Sequence, residues 1–122
     1  MTHHTTRPWG LAAAWLAALT LAGCATGPQP LYGWGSYQNQ VYEHFKAQST
    51  TGTEGQLAAL EADLQKMRSK GQTPPPGYHA HLGMLYASLG KDDQALQELQ
   101  TEKGLFPESA TYIDRLLAKY KK

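Results

Sequence analysis

Beyond the N-terminal segment, the side chains whose types suit catalysis or metal binding are His44, His79, His81, the Asp92-Asp93 pair and the single cysteine, Cys24. Their spacing argues against most such chemistry. His79 and His81 are two apart, about 200° around a helix, so one metal ion cannot be held by both from a single face. They read as surface or groove residues. Asp92-Asp93 falls where a helix should begin, and carboxylates there satisfy free amides and the helix dipole without any catalysis. Glu61 and Asp63 read as the solvating side of an amphipathic helix. Ser36 and Ser88 have no recognisable base with an orienting acid. The sequence contains no phosphate-cradling glycine loop, nucleophile elbow or zinc-protease signature. The expectation is a non-enzyme with no catalytic residue, metal, cofactor or small-molecule substrate. An enzymatic reading would have to run on His81, His44 or the Asp92-Asp93 pair.

The elements that carry these residues follow from composition and periodicity. The chain has 122 residues, with 11 Lys and Arg against 10 Asp and Glu for a net charge of +1. No basic excess gathers into a patch, so nucleic acid is not an expected partner. One cysteine excludes an intramolecular disulfide framework and a cysteine-cluster zinc site. Val41 and Ile113 are the only β-branched aliphatic residues, while Leu and Ala abound, which disfavours a sheet core and favours helices.

Residues 1–23 have the layout of a secretory signal. Arg7 precedes an apolar run from Leu11 to Ala22, which as a helix would reach about 18 Å and fall short of a bilayer core of roughly 30 Å. A signal h-region fits better than a membrane span. The run ends in Leu21-Ala22-Gly23-Cys24, which resembles the bacterial lipobox. That resemblance implies a diacylglyceryl group on the Cys24 sulfur, cleavage before Cys24, and acylation of the new amine by a chain such as palmitate. Ala25 in place of Asp implies, by the same resemblance, sorting to the outer membrane with the body facing the periplasm. Each buried methylene contributes about 0.8 kcal/mol, so several acyl chains attach a protein firmly. The expected organisation is a signal peptide at 1–23, the acylated cysteine and a Pro/Gly-containing linker at 24–31, and a helical domain at 32–122.

Within that domain, Leu31-Tyr32-Gly33-Trp34-Gly35-Ser36-Tyr37 alternates aromatic and small residues and reads as extended chain with tight turns. Five helices should follow. Ser36 would cap the first, whose Tyr37, Val41 and Phe45 repeat every four residues. Thr53-Glu54-Gly55-Gln56 matches a capping box ahead of the stripe Leu57, Leu60, Leu64 and Met67. Gly71 and the Pro74-Pro75-Pro76-Gly77 connector separate this helix from one carrying Tyr78, Leu82, Leu85 and Leu89, which stops at Gly90. A fourth begins near Asp92 and should close at Gly104 and Pro107. The last, from about Ser109, turns Ile113, Leu116, Leu117 and Tyr120 inward.

Residues 76–109 resemble one tetratricopeptide repeat over its 34-residue length. The match rests on Leu82-Gly83, Tyr86, Gly90, Ala95-Leu96, Leu105 and Pro107, with Gly83 and Ala95 small where paired helices approach. His79 and Glu102 depart from the pattern, and Glu102 at a packed position predicts an irregular second half of the hairpin. The first two helices look like a divergent hairpin of the same kind and the last like a terminal cap, giving an all-α, tetratricopeptide-like stack. The segment from Leu31 to Tyr37 with Val41-Tyr42, Pro75-Pro76-Gly77 and Leu82 to Tyr86 also resembles a family of small bacterial lipoproteins. That resemblance implies a lipid-anchored helical protein in an envelope assembly, beside a lipoprotein akin to the curli-export channel.

If the repeat pattern holds, Ala80, His81, Met84, Ala87 and Ser88 face a groove, one suited to an apolar helix or strand of a neighbour or filled by the last helix itself. Tyr32, Trp34 and Tyr37 read either as a docking patch or, preferably, as a cover for the open end of a short stack. The expected partner-binding set is therefore Tyr32, Trp34, Tyr37, His81, Met84 and Ser88. The function expected is a non-catalytic interaction module tethered to the membrane through Cys24. A peptidoglycan-associated structural lipoprotein is the alternative, and an envelope enzyme a more distant one.

Overall fold

A computed structural model describes residues 27–46 and 51–120. The signal segment and Cys24 lie outside the described residues. The chain divides into two compact units, Met1–Pro30 and Leu31–Lys122. Of the first, residues 27–30 are described and carry no regular structure. The second is all-helical, with no strand among the described residues. Its helices are α1 (Tyr37–Phe45), α2 (Thr53–Ser69), α3 (Tyr78–Ser88), α4 (Asp92–Leu105) and α5 (Ala110–Leu117). Short 3-10 turns at Pro107–Ser109 and Ala118–Tyr120 flank α5.

The stripe on α2 does what its spacing dictates. Leu57, Leu60, Leu64 and Met67 are all buried, and with Tyr78, Leu82 and Leu85 of α3 they form the core. Tyr78 is wholly enclosed, and its hydroxyl donates to the Leu60 carbonyl at 2.7 Å, so the polar end of a buried ring is satisfied. Burial, reinforced by the charge of Asp63, pushes the Tyr78 hydroxyl well above the ordinary tyrosine range.

The α3–α4 pairing is close at Gly83, where an added Cβ would sit 3.2 Å from both the Ala95 carbonyl oxygen and Leu99 Cγ. The small residues are therefore required by the approach of the two helices. Ala95 and Leu99 are buried on α4, as is Ile113 on α5, which packs against α4. Lys103 Nζ and Asp114 Oδ1, 2.6 Å apart, tie those two helices at the surface.

Three local expectations change. The capping box is not made: α2 begins one position early, with Gly52 as N-cap and Thr53 already helical. Gln56 instead donates to the Thr51 carbonyl at 3.0 Å. Gly104 does not end α4, which runs through Leu105; the chain leaves the helix at Phe106, whose non-helical backbone and buried ring precede Pro107. Glu61 and Asp63 do more than solvate α2. Tyr86 donates its hydroxyl to Glu61, which together with burial lifts that hydroxyl to about 12. Asp63 anchors the aromatic segment, accepting the Ser36 amide at 2.7 Å.

That segment lies along α2 and the turn after it. Gly33 donates to the Thr73 carbonyl at 2.8 Å, and a Cβ there would approach Met67 Cγ to 2.9 Å. Gly35 has φ +48 and faces the Asp63 side chain, a conformation and a clearance that favour glycine. Ser36 occupies the N-cap position of α1 but makes no side-chain cap.

Candidate functional site

Two polar arrangements sit inside this helical frame, one structural and one lining a concavity. The first is built on Glu102, only 1% exposed. Its carboxylate accepts the Gly77 amide at 2.6 Å and the His79 and Ala80 amides at 3.1 and 3.3 Å. These are the free donors that every helix N-terminus presents, so a side chain from α4 caps α3, and the positive end of the α3 dipole faces the acid. Gly77 makes this possible: at φ +90 it turns its amide toward Glu102 in a conformation that side chains resist. The irregular hairpin expected from Glu102 is absent, because the carboxylate is consumed by backbone amides and α4 continues past it. One turn away, His79 is buried and its Nδ1 lies 2.5 Å from Glu98 Oε2.

The second arrangement is a groove of about 450 Å³ whose floor is α3 and whose walls are α1 and α5. Tyr37, Val41 and Phe45 form one wall, and Tyr112, Leu116 and Tyr120 the other, with Leu99 below. The three-residue stripe of α1 is thus turned to an open concavity. No residue of α1 is buried, and Phe45 is 75% exposed. The stripe was legible in the sequence as helical, without a sign of what it faces.

Of the groove residues expected on α3, Ala80, His81, Met84 and Ala87 line it. Ser88 does not; its hydroxyl donates back to the Met84 carbonyl at 2.9 Å. Helix α5 does not fill the groove but walls it. Sequence reasoning missed Val41, Phe45, Tyr112 and Lys119 as lining residues, because nothing in periodicity tells an inward stripe from one facing a cleft.

Both His79 and His81 are buried: His81 lines the groove as expected, whereas His79 lies neither at the surface nor in the groove. The His81 ring stands 5.2 Å from that of His44 and 6.0 Å from that of Tyr37, and its Nε2 is buried without a hydrogen-bond partner among the described residues. Burial, with His44 adding, pulls His81 down to about 4, so the ring is uncharged near neutrality. Burial, with Glu102 adding, raises the Tyr37 hydroxyl.

The aromatic candidates divide. Tyr32 packs edge-on against Phe106 at 6.0 Å and Tyr37 against Tyr78 at 5.0 Å, so both are half-buried within the chain. Trp34 stacks on Tyr37 at 6.4 Å yet stays 45% exposed. Tyr42 and Phe45 carry the exposed aromatic surface on along α1.

Among the described residues, no cluster of three or more His, Cys, Asp or Glu side chains is placed to hold a metal ion, and no helix is long and apolar enough to cross a membrane. Residues 31–116 match a family described as DUF4810, a domain of unknown function. The chain belongs to that family. No curated protein and no solved structure matches it.

Proposed function

We propose that this chain is a lipid-anchored, non-catalytic protein-interaction module of a cell-envelope or secretion assembly, held through Cys24 at the periplasmic face of the outer membrane. The observation that carries the reading is the aromatic edge of Trp34, Tyr42 and Phe45, exposed on and just before a helix that buries none of its own residues. Exposed aromatic side chains on a firm support are the usual anchors of protein interfaces. The support here is the α2–α3 core together with a hairpin, α3–α4, whose close contact at Gly83 and Ala95 suits a tetratricopeptide-like module. Met84, half-open on α3, extends the same accessible surface. The anchor is supported by the lipobox-like run ending at Cys24.

The test is site-specific photocrosslinking in cells from position 42, within the aromatic edge, where an aromatic photoreactive residue replaces Tyr42. One stoichiometric envelope protein should be recovered, and Trp34→Ala should reduce its yield. A clean monomer at every expression level would refute the reading.

A further inference from the structure

The groove between α1, α3 and α5 shares Phe45 and Met84 with the docking surface, but its remaining lining is of a different kind. Its lining is mainly apolar: Val41, Phe45, Met84, Leu99 and Leu116 supply aliphatic and aromatic carbon, and Tyr37, Tyr112, Tyr120 and His81 add polar atoms. Among the lining residues the only full charge near neutrality is Lys119, which makes no ion pair among the described residues, and no carboxylate lines the groove. His81 on the floor adds no charge near neutrality. The groove is therefore an apolar trough with one cation in its wall.

Size narrows the occupant. A volume of about 450 Å³ falls within the roughly 300–1,000 Å³ of small-ligand pockets and is some three times the ~150 Å³ apolar cavity that accepts benzene. A single turn of α-helix, about 10 Å across and 5.4 Å tall, has about that volume and an alkyl chain is also admitted, so the single cation in the wall decides between them. An apolar shaft with one anionic end matches both the lining and the charge. We propose that this groove binds the alkyl chain of a free long-chain carboxylate, with Lys119 pairing its headgroup. This goes beyond the docking role and stands without it.

The experiment uses the full chain and a diazirine-bearing dodecanoate as photoprobe, below the concentration at which it forms micelles, with labelled sites mapped by mass spectrometry. Labels should concentrate at Val41, Phe45 and Met84. Unmodified dodecanoate should compete roughly three- to fivefold better than dodecylammonium, the worth of one partly exposed ion pair. Lys119→Glu should reverse that preference. Lys119 is exposed, so unchanged circular dichroism of this variant certifies its fold. Ala87→Trp, which projects bulk into the trough from its floor, should abolish groove labelling while leaving crosslinks from position 42 intact. Labelling scattered evenly over the chain, equal competition by the two amphiphiles, or displacement by an apolar helical peptide and not by dodecanoate would each overturn the proposal.

Discussion

Glu102 shows how one side chain serves two elements. Glu102→Ala would leave the amides of Gly77, His79 and Ala80 without their acceptor. Buried donors deprived of a charged acceptor cost about 1.5–3 kcal/mol, so urea denaturation should show a loss of that order. Glu102→Gln keeps one acceptor oxygen and should lose less. A second residue-scale outcome concerns acid. The unfolded chain takes up a proton at an ordinary histidine value of 6.5, whereas folded His81 resists it until about 4. The unfolded state thus binds more protons in that window, so stability is full above pH 6.5 and declines as pH falls toward 4. Asp63 adds a later loss. Burial pushes its carboxyl up, but hydrogen bonds from Ser36 and Lys66 outweigh this and hold it below the usual carboxylate value of 3.8, so its contribution disappears as pH falls below that value. Thermal melts across pH 7 to 3 should show both phases, and His81→Phe should flatten the first.

At the scale of elements, the α3–α4 hairpin depends on clearance. Gly83→Leu would force atoms into the Ala95 carbonyl and Leu99, and overpacking of this kind costs about 1–3 kcal/mol. A melting temperature equal to that of the parent chain would contradict the packing described. The helical stripes show what was legible beforehand. On α2 the spacing of Leu57, Leu60, Leu64 and Met67 identified both the helix and its buried face, because the stripe has a partner in α3. On α1 the same kind of spacing at Tyr37, Val41 and Phe45 identified the helix and left open what its apolar face meets. Periodicity reports that a face is apolar and is silent about what lies opposite. Gly71 and Gly90 marked helix ends correctly, since positive φ values of 63 and 71 leave few alternatives to glycine. Glu102 was misread for a physical reason: whether a buried acid disrupts or caps depends on amides 22 to 25 positions away in sequence, a distance that no local pattern spans.

For the whole molecule, the proposed role joins a neutral helical body to a bilayer through one atom. Cys24→Ala should move the chain from the membrane fraction to the soluble fraction on cell fractionation. The purified parent should carry the mass of its acyl chains and begin at residue 24. A bare thiol with residues 1–23 attached would refute the anchor. The groove was partly legible: Ala80, His81, Met84 and Ala87 came from the repeat resemblance, whereas the opposing wall from α5 required the tertiary arrangement.

Helix α1 keeps no side chain fully enclosed and rests on the body through Tyr37, the His44–His81 ring contact and the Asp63–Ser36 link. Its peptide hydrogens should therefore trade with deuterium in a partial opening that leaves Leu60, Tyr78 and Leu85 shielded. A pulse in heavy water would then mark residues 38–45 minutes or hours before the interior. The element that bears the protein's aromatic edge is the one the chain can release at least expense to itself.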